Sequence, residues 1–181
     1  MHEDNSLRNG IEFVLSGPTS FDGCVELVNK LYEEMEKETN CIVNNTPRTS
    51  THIHVNTAHM YLNNLVTFIA LWATFEEALV KWCGPEREGN LFCLRMKDSY
   101  SVLDSMIEAI SRGTFRFEQS NRYAALNVAA IPKFGSLEIR SLNGCEEPER
   151  IIKWLRFINN LYEQAMNPEY ADSRIVTGKQ I

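Results

Sequence analysis

His52 and His54 stand two residues apart in Thr51-His52-Ile53-His54-Val55-Asn56, and Glu138 and Arg140 stand two apart in Leu137-Glu138-Ile139-Arg140. Two imidazoles, a carboxylate and a guanidinium are side chains suited to holding a divalent cation and a phosphate. Hard oxygens suit magnesium or manganese, imidazole suits manganese, and a guanidinium pairs with phosphate oxygens as a fork. The spacing of two matters because successive side chains of a β-strand point to opposite faces. His52, His54 and Asn56 then share one face, with Ile53 and Val55 behind them. Glu138 and Arg140 likewise share a face, with Leu137 and Ile139 behind. Glu12, between Ile11 and Phe13, projects from a third strand in the same way. Each pattern alone is ordinary, since strand histidines and surface ion pairs are common; their co-occurrence points to a polar sheet face.

Two further segments bring cations. Arg87 and Asn90 fall in a Gly- and Pro-bounded stretch, residues 84–90, that reads as a flexible loop, and Arg95 lies just beyond. Arg122, in Asn121-Arg122-Tyr123-Ala124-Ala125-Leu126-Asn127, stands at the mouth of an expected strand.

The elements that must position these residues follow from periodicity. Residues 8–15 read as a strand broken by Ser16-Gly17-Pro18, and 21–38 as a helix with Val25, Val28, Leu31, Tyr32 and Met35 on one side. A strand over 50–56 precedes the longest helical pattern, 58–82, which is apolar on most sides and stopped by Gly84-Pro85. Residues 91–96 read as extended or irregular, and Asp98 or Ser99 caps a helix to about residue 110. Strands over 123–130 and 136–141 form a hairpin through Ile131-Pro132-Lys133-Phe134-Gly135. Glu147-Pro148-Glu149 opens the last helix, with acids complementing its dipole. The sum is an α+β fold, an antiparallel sheet with helices packed on one face and the other open for polar chemistry.

With 181 residues the chain suits one domain, 1–166, followed by a polar tail, 167–181. A net charge of −6 and no Lys/Arg run disfavour nucleic acid as a partner. The five cysteines, Cys24, Cys41, Cys83, Cys93 and Cys145, are scattered and form no CxxC pair, which fits a reducing cytoplasm rather than a disulfide or zinc framework. The most apolar run, residues 65–75, is far shorter than the ~20 residues that cross a bilayer. The start of the sequence, Met1-His2-Glu3-Asp4-Asn5, carries no secretory signal pattern. A cysteine hydrolase using Cys145 near the last helix is a weaker reading, because no histidine base accompanies it.

The order of the motifs resembles the amidoligases, carboxylate–amine ligases related to glutamine synthetase and glutamate–cysteine ligase. The similar segments are Asp4-Asn5-Ser6-Leu7 with Gly10-Ile11-Glu12-Phe13-Val14 and Ser16-Gly17-Pro18, then Thr51 to Asn56, Arg122 to Asn127, and Gly135-Ser136-Leu137-Glu138-Ile139-Arg140. The resemblance spans about residues 4–165. It implies a glutamine synthetase-like domain that uses ATP and magnesium or manganese to make an acyl phosphate, which an amine converts to an amide. The carboxylate and amine would be small molecules or peptides. It also implies metal ligation by Glu12, His52 and Glu138, and nucleotide contacts by His54, Arg87 and Arg140. Arg140 and Arg122 would face the transferring phosphoryl group. Family members carry a Gly-x-Glu-x-Glu strand before the segment matched by Asp4, which this sequence does not show. The expectation is therefore the C-terminal part of a split or truncated ligase, or a sheet completed by a second copy or a partner chain, or else a binding domain that keeps the fold without catalysis.

Overall fold

A computed structural model describes residues 2–4, 10–15, 17–38, 46, 48–98, 100–115, 117 and 123–167. The first element pair is small: β1 (His2–Asp4) and β2 (Gly10–Glu12) run antiparallel, with His2 opposite Glu12. Among the described residues, the strand expected over 8–15 thus pairs over Gly10–Glu12, in a sheet of its own. Helix α1 (Phe21–Lys37) follows, its N-terminus capped by the Ser20 hydroxyl, which accepts the Gly23 N–H at 3.1 Å. Asp22 in the first turn and Lys37 in the last complement the helix dipole.

β3 (Ser50–Asn56) has the expected bounds, and its burial alternates as the sequence does: Ile53 and Val55 are half-buried, His52, His54 and Asn56 exposed. Helix α2 (Leu62–Cys83) begins later than residue 58, and Asn64 in its first turn accepts the Tyr61 N–H while donating to the Ala165 carbonyl. Gly84, at φ +121°, ends it in a conformation that side chains other than glycine's resist, and Pro85 cannot continue the helix. The chain then makes a 3-10 turn at Pro85–Arg87 and another at Met96–Asp98 before helix α3 (Tyr100–Arg112).

The expected hairpin is present with a different connection. β4 is only Leu126–Asn127, followed by a 3-10 turn at Val128–Ala130 and a one-turn helix α4 (Ile131–Phe134) that leads into β5 (Ser136–Asn143). The early end of β4 has a local cause. The Asn127 side chain accepts the Ala129 N–H at 3.0 Å, curling the backbone into a turn, and Pro132 suits the first turn of a helix. Helix α5 (Pro148–Met166) closes the described chain.

The main sheet has the order β3-β5-β4, antiparallel throughout, so β5 is central and buried along its length. Leu137 and Ile139 join Phe68, Ile69, Trp72, Trp154 and Ile158 in one core in which α2 and α5 pack on each other and on the sheet. Trp154 stacks on Trp82 at 5.5 Å and meets Trp72 edge-on at 6.1 Å, locking α5 to α2. The architecture is α+β, with a small three-stranded antiparallel sheet. Among the described residues, no helix is long and apolar enough to cross a membrane.

Candidate functional site

Register places the chemistry. On β5, Glu138 faces His54 of β3 on one side and Asn127 of β4 on the other, because His54 pairs with Glu138 and Asn127 pairs with Glu138. His52 lies two residues along β3 on the same face. The Glu138 Oε1 atom receives the Arg140 guanidinium Nη1 at 2.8 Å and lies 3.2 Å from His52 Nδ1 and 4.0 Å from His54 Nε2. The other oxygen, Oε2, accepts the Asn127 amide at 2.6 Å. Three strands therefore deliver four side chains to one carboxylate.

An ionised carboxylate only accepts hydrogen bonds, so the His52 nitrogen facing it must carry the proton. Neutral His52 then offers Nε2 as the acceptor for the Ser50 hydroxyl, 2.7 Å away. His54 places Nδ1 2.8 Å from the Ser136 hydroxyl and packs its ring edge-on against Phe134 at 5.7 Å. Desolvation lowers the pKa of His54 against the opposing pull of Glu138, with the His52 and Arg140 charges adding to the lowering, so its neutral form is favoured. Glu138 is only 8% exposed. Burial alone would push its pKa up, but the His52 hydrogen bond, the Arg140 charge and the Asn127 hydrogen bond outweigh it and hold the carboxyl at about 2. Glu138 is a carboxylate at any physiological pH.

Beside this cluster opens a cleft of about 710 Å³ whose lining includes Tyr123, Asn127, Lys133, Phe134, Glu138 and Arg140. One end is polar. The Arg140 Nε donates to the Phe92 carbonyl, and the Phe92 ring meets Tyr123 edge-on at 6.3 Å. The exposed Lys133 ammonium lies 4.6 Å from the centre of the Phe134 ring. With Glu138 matched by Arg140, Lys133 leaves this lining with a surplus of one positive charge, suited to an anion.

The four residues read from the two strand motifs, His52, His54, Glu138 and Arg140, meet as the alternation requires. Of the other three, Glu12 and Arg87 stand elsewhere. Glu12 is exposed on β2, and no ladder links its two-stranded sheet to β3, β4 or β5 among the described residues. Arg87 is not a loop cation: it is 1% exposed, and its guanidinium donates to the carbonyls of Thr49, Arg140 and Ser141. The buried 3-10 turn around it replaces the flexible loop read from Gly84, Pro85 and Gly89. Arg122 lies outside the described residues. Cys145 is buried and hydrogen-bonded to the Asn143 carbonyl, and burial raises its thiol to about 11 against the Arg150 charge, so it is no nucleophile.

Asn127 and Lys133 are the cleft residues that sequence reasoning passed over. Asn127 ends the motif that contains Arg122, and pairing the two late strands would have set it beside Glu138. Lys133 sat in a segment read as a turn, where a lysine carries no signal. Among the described residues, no group of three or more His, Cys, Asp or Glu side chains is arranged to hold a metal ion. A family model described as "Putative amidoligase enzyme" matches residues 3–162. Comparison with curated proteins and with solved structures returns no significant match.

Proposed function

Because the chain belongs to the amidoligase family, we propose that it is an ATP-dependent ligase that joins a carboxylate to an amine through an acyl phosphate, on a glutamine synthetase-like domain. Family membership supports the ligase-type function; the ATP dependence and the intermediate are the further steps of the reading. The observation that carries it is the convergence of His52, His54 and Arg140 on Glu138, beside a cleft that Glu138 and Arg140 line together with Lys133.

In the first step a substrate carboxylate oxygen attacks the γ-phosphorus of ATP; the bond from that phosphorus to the bridging oxygen breaks and ADP leaves. In the second the amine attacks the acyl carbon, phosphate departs with the carbon–oxygen bonding pair, and loss of the amine proton leaves the amide. Neither step needs a protein nucleophile, so the protein's part is positioning and charge. Arg140 and Lys133 hold phosphoryl or carboxylate oxygens, the first as a fork and the second as a point charge. His54, favoured in its neutral form, meets the phosphate end, and Asn127 keeps the Glu138 carboxylate turned into the cleft.

Magnesium or manganese would be held by Glu138 and by His52, whose Nδ1 would give up to solvent the proton it turns toward the carboxylate. Magnesium is commonly bound through one or two carboxylates plus substrate phosphates, so this donor set fits without a cage built from protein alone. The ion would neutralise charge on the phosphates. The reading includes small-molecule or peptide carboxylates and amines as substrates, and a second copy or partner strand at the edge of β3, which pairs with β5 alone among the described residues.

The test is ADP release by the purified chain with magnesium or manganese, ATP and panels of amino acids and short peptides. Release that requires both a carboxylate and an amine supports the reading, and ¹⁸O passing from labelled carboxylate to inorganic phosphate supports the acyl phosphate. Nucleotide binding without turnover across the panels would make the chain a binding domain instead.

A further inference from the structure

The pairing of β3 with β5 is regular except at one place. Thr51 faces Leu142 and Ile53 faces Ile139, so a single residue, His52, stands against two, Arg140 and Ser141. This is a β-bulge on β5, a device that bends a strand and re-aims side chains. It also shifts the phase of the apolar alternation. An unbroken alternation from Leu137 and Ile139 would put Ser141 in line with them; with the extra residue, Leu142 joins the apolar core instead, while Ser141 is buried as well.

A bulge takes carbonyls out of the regular ladder, and a buried carbonyl without a donor is costly. Both carbonyls of this bulge are met by one side chain. Arg87 donates Nη2 to the Arg140 oxygen at 2.6 Å and Nε to the Ser141 oxygen at 2.8 Å, and Nη1 reaches the Thr49 oxygen, just before β3, at 3.5 Å. Meanwhile the Arg140 N–H goes to the Ala125 carbonyl at 2.9 Å, on the β4 side. The Arg140 backbone is thus pinned at both its polar groups, one of them by Arg87. Its side chain, launched from the pinned residue, reaches Glu138 through Nη1 and the Phe92 carbonyl through Nε. Arg87 itself is fixed by the turn that ends α2, so the core helix, the bulge and the cleft are linked in series.

Burying a guanidinium against carbonyl oxygens is an expensive way to fill space. The planar fork, which matches two adjacent acceptors, is what a lysine could not supply. We propose that Arg87 is a positioning residue of the cleft: it holds the bulge of β5 in the shape that aims Arg140 at Glu138 and the cleft. The inference rests on the geometry of the bulge and stands whether or not the chain makes amides.

The experiment follows the Arg140 side chain directly, by nitrogen-15 NMR of its Nε–H group in the full chain. In the wild type this proton, bonded to the Phe92 carbonyl, is expected to exchange more slowly with water than that of an unbonded arginine. Arg87→Lys keeps the charge and loses the fork; the expected result is Arg140 Nε–H exchange at least tenfold faster, with α5 core amides unchanged. In a second arm, Arg87→Gly is refolded with and without methylguanidinium, and the added ion is expected to restore the slow Arg140 exchange. An Arg87→Lys chain that loses melting temperature while Arg140 exchanges as in the wild type would overturn the proposal. An Arg87→Gly chain in which methylguanidinium restores neither folding nor Arg140 protection would overturn it too.

Discussion

Three donors, from Arg140, His52 and Asn127, gather on the two oxygens of Glu138, with His54 4.0 Å away, and that crowding decides how this residue behaves. Removing the charge should leave Arg140 half-buried beside a neutral amide, so Glu138→Gln is expected to lose about 1.5–3 kcal/mol, the range for hydrogen bonds to charged groups, in urea unfolding at pH 7. The same carboxylate gives the acid limb of the stability curve. Its folded pKa of about 2 lies below the ordinary 4.5 of the unfolded chain. A depressed pKa means that the unfolded state binds the proton first, so the stabilisation is complete above 4.5 and is lost as the pH falls toward 2. His54, lowered from 6.5 chiefly by desolvation, acts in the same direction on the approach from neutral pH. The unfolding free energy of the wild type should therefore fall between pH 4.5 and 2 more steeply than that of Glu138→Gln. Parallel acid limbs in the two chains would show that the cluster does not set this pKa.

The turn from α4 into β5 tests how the elements bring Lys133 to the cleft and Ser136 to His54. Gly135 ends α4 at φ +68°, and a Cβ added there would meet nothing within 4 Å. The cost of Gly135→Ala is then conformational alone, about 1 kcal/mol, read as a fall of roughly 2–4 °C in Tm for a chain of this size. A variant as stable as the wild type would mean that this left-handed turn relaxes. Strand alternation made β3 and the first half of β5 readable from residue types, because each has one apolar and one polar face. It could not show the bulge at Arg140 and Ser141, since one inserted phase shift in a short strand looks like a serine at a core position. Nor could it show Arg87 in the core: the residues around it, Gly84, Pro85 and Gly89, carry turn signals, and only the distant carbonyls of β5 explain its burial. β4 was read too long because Val128, Ala129 and Ala130 are apolar, and an Asn127 turn overrides that preference. The convergence on Glu138 was legible; Glu12 was not excluded by its own alternation, because alternation says which face a residue takes and nothing about which sheet it joins.

At the scale of the molecule, stability and chemistry lie on opposite sides of the main sheet. Beneath it, α2 and α5 meet through Trp72, Trp82 and Trp154; above it, Glu138, Arg140 and Lys133 line the cleft, with His52 and His54 beside Glu138. Substitutions on the two sides should therefore have separable effects. Trp154 is 1% exposed, and truncation to alanine opens a cavity in a layer that supports the whole sheet. Trp154→Ala should cost about 3–5 kcal/mol, a Tm loss of roughly 10 °C, and any binding that survives should keep wild-type affinity at temperatures where the variant is folded. Lys133 is its counterpart. The side chain is exposed and its recorded contact is the ring of its neighbour Phe134, worth about 0.5–1 kcal/mol at such a site. Lys133→Ala should leave Tm within about 2 °C of the wild type while weakening pyrophosphate binding, read by calorimetry, roughly tenfold, the loss of about 1.4 kcal/mol from one charge-assisted contact. Lys133→Arg, which keeps the charge, should recover most of that affinity. If Lys133→Ala binds pyrophosphate as tightly as the wild type, the positive surplus of the cleft is not what attracts an anion, and the phosphate end must be sought at His52 and His54 alone.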